Sequence, residues 1–187
     1  MSVESFAAWL GDTKGSVALH ESLYMYTYIE AAHVLGITLF AGTIALVDLR
    51  LLGISFRSVP VSQMNDKILP WTVAGFVLMM ITGALLFYAV PVRTFHSVWF
   101  RAKMIMMLIA GVNIAVYTFQ VERNRSEWDE APKPPAGARA AAVLSLTMWT
   151  LVIVTGRMIA YNWYDCDRPQ PGWVETFAGC PPGGLPQ

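Results

Sequence analysis

Four long hydrophobic stretches dominate the chain, and three of them contain a strongly polar side chain. The stretches cover roughly residues 24–52, 69–90, 98–121 and 140–164. Each is long enough to cross a bilayer, which takes about 20 mainly apolar residues. Only helices or closed barrels satisfy their backbone groups in lipid, and continuous apolar runs without strict alternation favour helices. The pattern therefore predicts an all-α, polytopic membrane protein, a bundle of four transmembrane helices.

The overall composition agrees with a membrane protein. Of the 187 residues, 55% are hydrophobic and only 14% are charged, which is too apolar for a typical soluble domain of this length. The formal net charge is zero, and the sequence has no basic stripe and no glycine-rich phosphate loop. We therefore expect the lipid bilayer as a partner and no nucleic acid.

Basic residues between the stretches predict the orientation. The segments from Arg50 to Leu69 and from Glu122 to Arg139 hold seven Lys and Arg residues, whereas the opposite side holds three, namely Lys14, Arg93 and Arg168. Loops rich in Lys and Arg stay in the cytoplasm. We therefore expect a multi-pass protein of the bacterial inner membrane with both termini outside, in the periplasm.

Two short regions flank the predicted membrane domain, which we assign to residues 23–164. Residues 1–22 are predicted to be an outer interfacial helix and lead-in, because apolar positions recur at helical spacing from Val3 to Leu10. The early apolar run from Phe6 to Leu10 is too short for a signal-peptide core, so we expect the first span to remain in the mature protein and to act as its own insertion signal. Residues 165–187 are predicted to be an irregular outer tail.

The tail contains both cysteines of the chain, Cys166 and Cys180. A tail on the outer side of a bacterial membrane lies where disulfides form, so we favour a bridge between them over two unpaired thiols. The sequence has no Cys-x-x-Cys-His, which excludes covalent attachment of a c-type haem.

Three strongly polar residues lie at nearly the same depth on separate stretches, namely His33, Lys103 and Arg157. Counted at 1.5 Å per residue from the outer aromatic belt, their depths are roughly 10, 6 and 9 Å. The reference residues for this count are Tyr26, Trp99 and Trp163. A buried ionisable group is costly in hydrocarbon unless it has a partner, so three at one level suggest a site.

Each of these residues also has a plain structural explanation. His33 could be a neutral histidine hydrogen-bonded across helices, and Lys103 could extend outward to the headgroups. Arg157 could pair with Glu30, which lies one helical turn above His33. At the other end of the spans, Asp48 and Arg50 are most simply a structural clamp.

A b-type haem would make use of His33, Lys103 and Arg157. Haem iron takes an imidazole ligand, and the two anionic propionates favour Arg or Lys. We predict His33 as the proximal ligand and Arg157, Arg101 and Lys103 as partners of the propionates. The sixth iron position stays open between His96, Lys103 as a neutral amine, a methionine, and no ligand.

Four segments carry a resemblance to known proteins: "EAAHVLGITLFAGTIALVDLRLLG", "LPWTVAGFVLMMITGALLF", "FRAKMIMMLIAGVN" and "SLTMWTLVIVTGRMIAYNW". In this order they resemble an uncharacterised family of bacterial four-helix inner-membrane proteins, a domain of unknown function. More distantly, the first-span histidine and the third-span Arg-x-Lys resemble the bacterial four-helix protoporphyrinogen oxidase and the membrane domain of copper-resistance D proteins. The oxidase family binds haem b and needs that histidine and lysine, which implies such roles for His33 and Lys103. It has a lysine where this chain has Glu30.

The leading functional hypothesis is therefore an inner-membrane, haem b-binding protein with an electron-transfer or oxidase-like role. Its redox partner would be a quinone or a periplasmic electron carrier. Ten methionines leave open a copper or small-solute transporter, since thioethers suit Cu(I). A non-catalytic structural subunit is the third alternative, and a homo-oligomer or a larger membrane complex is possible in each case.

Overall fold

The computed structural model describes residues 3–161, 164, 166, 167 and 169–180. This part of the chain is helical, without strands. Its helices are α1 (Val3–Gly11), α2 (Lys14–Glu21), α3 (Met25–Leu51), α4 (Val61–Ala89), α5 (Pro91–Phe95), α6 (Val98–Val116), α7 (Ala136–Met158) and α8 (Gly172–Ala178). A π-helical segment, Tyr117–Val121, and a 3-10 segment, Glu122–Glu127, follow α6. Four of the helices are long and apolar enough to cross a membrane, which confirms the predicted all-α class.

The chain divides into two compact units. The middle unit comprises residues 34–79 and 106–152, and the terminal unit comprises the described residues of 1–33, 80–105 and 153–187. Each unit is built from consecutive parts of the same long helices, because α3, α4, α6 and α7 each pass from one unit into the other.

The core of the middle unit is formed by Phe40, Met79, Ala110, Trp149 and Val152. The rings of Phe40 and Trp149 meet edge to face with their centroids 4.6 Å apart, an arrangement that the quadrupoles of aromatic rings favour. Met106, Met107 and Met148 pack against this core. These methionines therefore serve as apolar filler here.

Helices α3 and α4 approach closely at two glycines. A side chain on Gly75 would begin 2.7 Å from the backbone nitrogen of Phe40, and one on Gly36 would begin 3.0 Å from that of Met79. Small residues allow such backbone contact between membrane helices. The two helices therefore pack in one register, which depends on both glycines.

A buried arginine joins the end of α3 to two loops of the middle unit. Arg50 has no exposed surface, and its Nε donates to the carbonyl of Val59 at 2.6 Å. Its Nη2 lies 3.3 Å from the carbonyl of Asp129 and 3.2 Å from that of Ala131. The partners are backbone carbonyls, and no carboxylate in the described part of the chain forms an ion pair with Arg50, so Arg50 works as a clamp between the end of α3 and the two loops.

Helix α4 begins at Val61, eight residues earlier than the hydrophobic pattern predicts, because a distant carboxylate caps it. Asp129 accepts hydrogen bonds from the backbone N–H of Ser62 at 2.8 Å and from its hydroxyl at 2.5 Å. Burial acts to raise the pKa of Asp129, but these bonds and the charges of Arg125 and Arg50 together hold it below its usual value. An acidic cap of this kind suits the positive end of a helix.

The amino-terminal residues of the terminal unit form two short helices, where the sequence predicts one. Thr13 lies between them and accepts a hydrogen bond from the N–H of Ser16, capping α2. Its hydroxyl also bonds to that of Tyr88 at 2.8 Å, and Ser16 donates to the Tyr88 carbonyl at 2.7 Å. Helix α1 packs on α5. These contacts fix both helices against the end of α4.

The tail differs from the irregular segment that the sequence predicts, because it contains α8. Cys166 and Cys180 form a disulfide across this helix, with 14 residues of sequence separation. Val174 and Ala178 are fully buried beside Cys166 and Val98. Part of the tail, namely residues 165, 168 and 181–187, lies outside the described residues, as do the predicted interface residue Trp163 and the basic residue Arg168.

Candidate functional site

His33 lies in α3 and packs against α4 within the terminal unit. Its Nδ1 is 2.9 Å from the hydroxyl of Thr82, a buried residue of α4. The adjacent residue of α4 is Gly83, and a side chain there would begin 3.1 Å from Cε1 of the imidazole. The ring is therefore seated in a notch that a hydroxyl and a missing side chain create. A hydrogen bond to one ring nitrogen fixes the orientation of a histidine and the role of its other nitrogen.

Lys103 lies in α6 and reaches towards α7. Its Nζ is 3.2 Å from the point where a side chain on Gly156 would begin, so the amine occupies the space that this glycine leaves. Lys103 is half-buried, and it has no ion pair or hydrogen bond among the described residues. The terminal unit thus carries a cation without a counter-ion in the described part of the chain.

The sequence predicts that Arg157 is buried, and the structure places it on the surface. It is exposed, and its guanidinium lies over the ring of Tyr161 at 5.3 Å from the centroid. The reason is that α7 ends at Met158, so Arg157 lies in the last helical turn. A cation there interacts favourably with the helix dipole. The alternative ion pair with Glu30 is also absent, and Glu30 lies near the Tyr26 hydroxyl.

His96 follows α5 and is buried, with 2% of its surface exposed. Its Nδ1 donates to the carbonyl of Ala178 in α8 at 3.2 Å, and its Nε2 is 3.8 Å from a carboxylate oxygen of Glu4. His96 therefore contacts α8 and α1, whereas His33 contacts α4. The burial of His96 depends on α8, which the sequence analysis missed.

Arg101, in the first turn of α6, also binds α8. Its Nη1 donates to the Phe177 carbonyl at 2.6 Å, and its Nε donates to the Phe95 carbonyl at 3.2 Å. The guanidinium lies 5.0 Å from the centroid of the Phe95 ring. Beside it lies a groove of about 850 Å³, lined by Phe95, Phe100, Arg101, Met104, Ile105, Gly172, Trp173, Thr176 and Phe177.

The polar residues of the middle unit form a separate group around one turn of α7. Asp48 is 5% exposed, and the Ser145 hydroxyl is its hydrogen-bond partner. The side-chain amide of Asn113 donates to the Ala141 carbonyl at 2.9 Å, one turn before Ser145. The predicted pairing of Asp48 with a basic residue is absent among the described residues. Ser145 and Thr82 are partners without a sequence signal, since Ser and Thr are ordinary residues of membrane helices.

A metal ion or a haem requires particular side chains from a protein. Among the described residues, no group of three or more His, Cys, Asp and Glu side chains could hold a metal ion. A b-type haem needs less from the protein, namely one axial imidazole and cations for its propionates. In the terminal unit, His33 is an imidazole with a hydroxyl partner, and Lys103 is a cation without a described counter-ion. His96, Arg101 and Arg157 have the other contacts described above.

The four apolar helices define the molecule as a helical, multi-pass membrane protein. The chain belongs to a family of unknown function (DUF6644), which matches residues 2–162. The match covers the four long helices and ends before α8. No curated protein and no solved structure matches the chain, so similarity to the haem-binding oxidase or to copper-resistance proteins is not shown.

Proposed function

We propose that this protein is a b-type haem protein with a redox role in the membrane. The observation that carries the proposal is the imidazole of His33, which is oriented by the Thr82 hydroxyl and seated against Gly83. A ligating histidine in proteins almost always uses its other ring nitrogen for such an orienting hydrogen bond. An ionisable residue inside a membrane helix is by default a candidate for a functional site.

In this proposal each residue has a defined task. His33 supplies the axial ligand, and Thr82 holds the imidazole in one tautomer and one orientation. Lys103, which has no counter-ion among the described residues, offers a positive charge to a propionate. The apolar helices around them keep water away, which tunes the potential of such a centre. When bound, the haem supplies reversible one-electron transfer, and we propose a quinone or a periplasmic carrier as the electron partner.

The proposal assigns one histidine to the iron. His96 donates Nδ1–H to Ala178 and faces Glu4, and Arg101 is bonded to two carbonyls near α8. Their contacts give each a structural role in holding α8, so we leave both out of the proposed site. Arg157 is left out as well, because it is exposed and stacked on Tyr161.

Absorption spectroscopy tests the proposal with the three histidines of the chain as matched variants. The protein is purified from cells supplied with haem precursor, and reduced-minus-oxidised spectra are compared for wild type, His33→Ala, His96→Ala and His20→Ala. We expect a b-type band in all but His33→Ala. Thr82→Val should keep the band and weaken haem binding by roughly 10–100-fold, the usual cost of losing an orienting partner. A wild-type protein without the band contradicts the proposal.

A structural subunit is the second candidate, and one observation favours it. The bond between His33 and Thr82 joins α3 to α4, and the contact between Lys103 and Gly156 joins α6 to α7, as interhelical polar contacts do without any cofactor. This candidate predicts that His33→Ala lowers stability and changes no spectrum. Thermal unfolding of the same variants, measured beside the spectra, separates the two candidates.

We also propose a location and an orientation. The disulfide between Cys166 and Cys180 supports a tail on the oxidising side of a membrane, and the excess of basic residues in the opposite loops supports the same orientation. The proposed place is therefore the bacterial inner membrane with both termini in the periplasm. Labelling of single cysteines introduced at Thr13 and Ser126, in a variant without Cys166 and Cys180, tests this with a reagent that does not cross membranes.

A further inference from the structure

The groove beside Arg101 combines an apolar wall with one exposed cationic edge. Its wall includes Phe100, Met104, Ile105 and Trp173, of which Trp173 is 58% exposed and Met104 is 48% exposed. The volume of about 850 Å³ lies within the range of about 300–1,000 Å³ that is usual for small-molecule sites. Because Met104 and Ile105 lie on a membrane-crossing helix, one side of the groove belongs to the apolar part of that span.

The charge of Arg101 is uncompensated in the described part of the chain. Both of its hydrogen bonds go to neutral carbonyls, those of Phe95 and Phe177, and no described carboxylate forms an ion pair with it. A guanidinium has five N–H donors, so three of the five remain after these two bonds. The half-buried guanidinium is therefore a fixed positive group with donors to spare.

We propose that this groove binds an anionic phospholipid, with an acyl chain along the apolar wall and the phosphate on Arg101. Charge complementarity supports the headgroup, because phosphate and guanidinium form strong charge-assisted hydrogen bonds. The exposed aromatic and aliphatic wall supports the chain, since a soluble anion would leave it in water. The proposal is independent of His33, which does not line the groove.

The disulfide keeps the groove in shape. Helix α8 supplies Trp173, Thr176 and Phe177 to the wall, and the bridge between Cys166 and Cys180 encloses the helix. The buried side chains of Val174 and Ala178 hold its other face. The site is thus preformed, and preformed sites lose less affinity to ordering than mobile ones.

Binding of phosphatidylglycerol to the full-length, delipidated protein in detergent, followed by native mass spectrometry, tests the proposal. Both lipids carry a phosphate, but the choline cation of zwitterionic phosphatidylcholine is repelled by Arg101 and offsets the attraction, so we expect phosphatidylglycerol to bind about tenfold more tightly. Arg101→Gln should remove this preference. Arg157→Gln is the matched control, because it removes the same charge from an exposed arginine outside the groove, and it should leave the preference unchanged.

A second variant tests the groove without removing the hydrogen bond by which Arg101 holds α8. Met104→Trp fills the apolar wall and leaves both carbonyl bonds of Arg101 in place, so it should weaken phosphatidylglycerol binding by a similar factor. The proposal is overturned if wild type binds both lipids equally. It is also overturned if Arg157→Gln loses the preference for phosphatidylglycerol as fully as Arg101→Gln does. Competition by inorganic phosphate at the same concentration as the lipid also overturns it, since the site would then be a plain anion site.

Discussion

The contact between α3 and α4 gives a prediction whose size can be worked out from the structure. In Gly75→Ala, the added Cβ would lie 2.7 Å from the Phe40 backbone nitrogen, 3.1 Å from its Cα and 3.2 Å from the Gly36 carbonyl oxygen. The first distance falls short of optimal carbon contact, about 3.5 Å, by about 0.8 Å. All three neighbours are backbone atoms, which cannot rotate away. The helices must therefore move apart, and overpacking of this kind costs about 1–3 kcal/mol.

A control removes the effect of alanine on the helix itself. Gly42 lies in α3, and a side chain there would meet nothing within 4 Å. Alanine in place of a mid-helix glycine gains roughly 0.5–1 kcal/mol of helix propensity, and this gain applies to both positions. The difference in unfolding free energy between Gly42→Ala and Gly75→Ala then isolates the clash, and we expect about 1–3 kcal/mol.

Reversible unfolding in mixed micelles of detergent and sodium dodecyl sulfate, followed by circular dichroism, measures this difference. Both variants should fold, because the clash is local and the core around Phe40 and Trp149 is otherwise unchanged. If Gly75→Ala is as stable as Gly42→Ala within about 0.5 kcal/mol, the close packing of α3 on α4 is refuted, since that is the usual size of an uninvolved substitution.

Three further predictions concern the contacts outside this interface. Arg50→Met removes a fully buried donor from three part-buried carbonyls, of which that of Asp129 keeps the N–H of Val61, and should cost about 2–4 kcal/mol of unfolding free energy in the same micelle titration; a cost near zero contradicts the clamp. Because the pKa of Asp129 is lowered in the fold, its stabilisation is complete above the unfolded value of about 3.9 and is lost as pH falls through the lower, folded value. The free energy of unfolding should therefore fall less steeply with decreasing pH in Asp129→Asn than in wild type. Equal slopes in the two proteins count against this cap. Reduction of the disulfide between Cys166 and Cys180 removes about 3 kcal/mol of loop constraint, so amide exchange in α8 should rise by roughly a hundredfold, whereas exchange in α2 should not change.

Hydrophobic pattern was sufficient for the four spans and the helical class, because lipid leaves the backbone few alternatives. It placed the start of α6 at Val98 but the start of α4 too late, since the residues between Val61 and Leu69 are partly polar. Their helix is capped by Asp129, 67 residues away from Ser62 in the sequence. No local pattern could show such a partner.

The candidate site was predicted less well, for a related reason. Depth counted along single helices does not tell which way a side chain points, and Arg157 proved to lie in the last turn of α7 on the exposed surface. Helix α8 does have a local signal in the sequence. Pro171 precedes it and Gly179 ends it with a φ of +67°, the usual order of these two residues around a helix. Recognising α8 would have accounted for the contacts of His96 and Arg101.

The clamp of Arg50 has a consequence for how the protein is made. Arg50 is synthesised 79 residues before Asp129 and 81 before Ala131, and those residues supply two of its three carbonyls. Two further spans, α4 and α6, leave the ribosome in between. Until the loop before α7 has been synthesised, Arg50 lacks two of its three carbonyl partners. The clamp at the end of α3 is therefore completed only after three of the four long helices have been made, and a product truncated before residue 129 keeps only the Val59 carbonyl as a partner of Arg50.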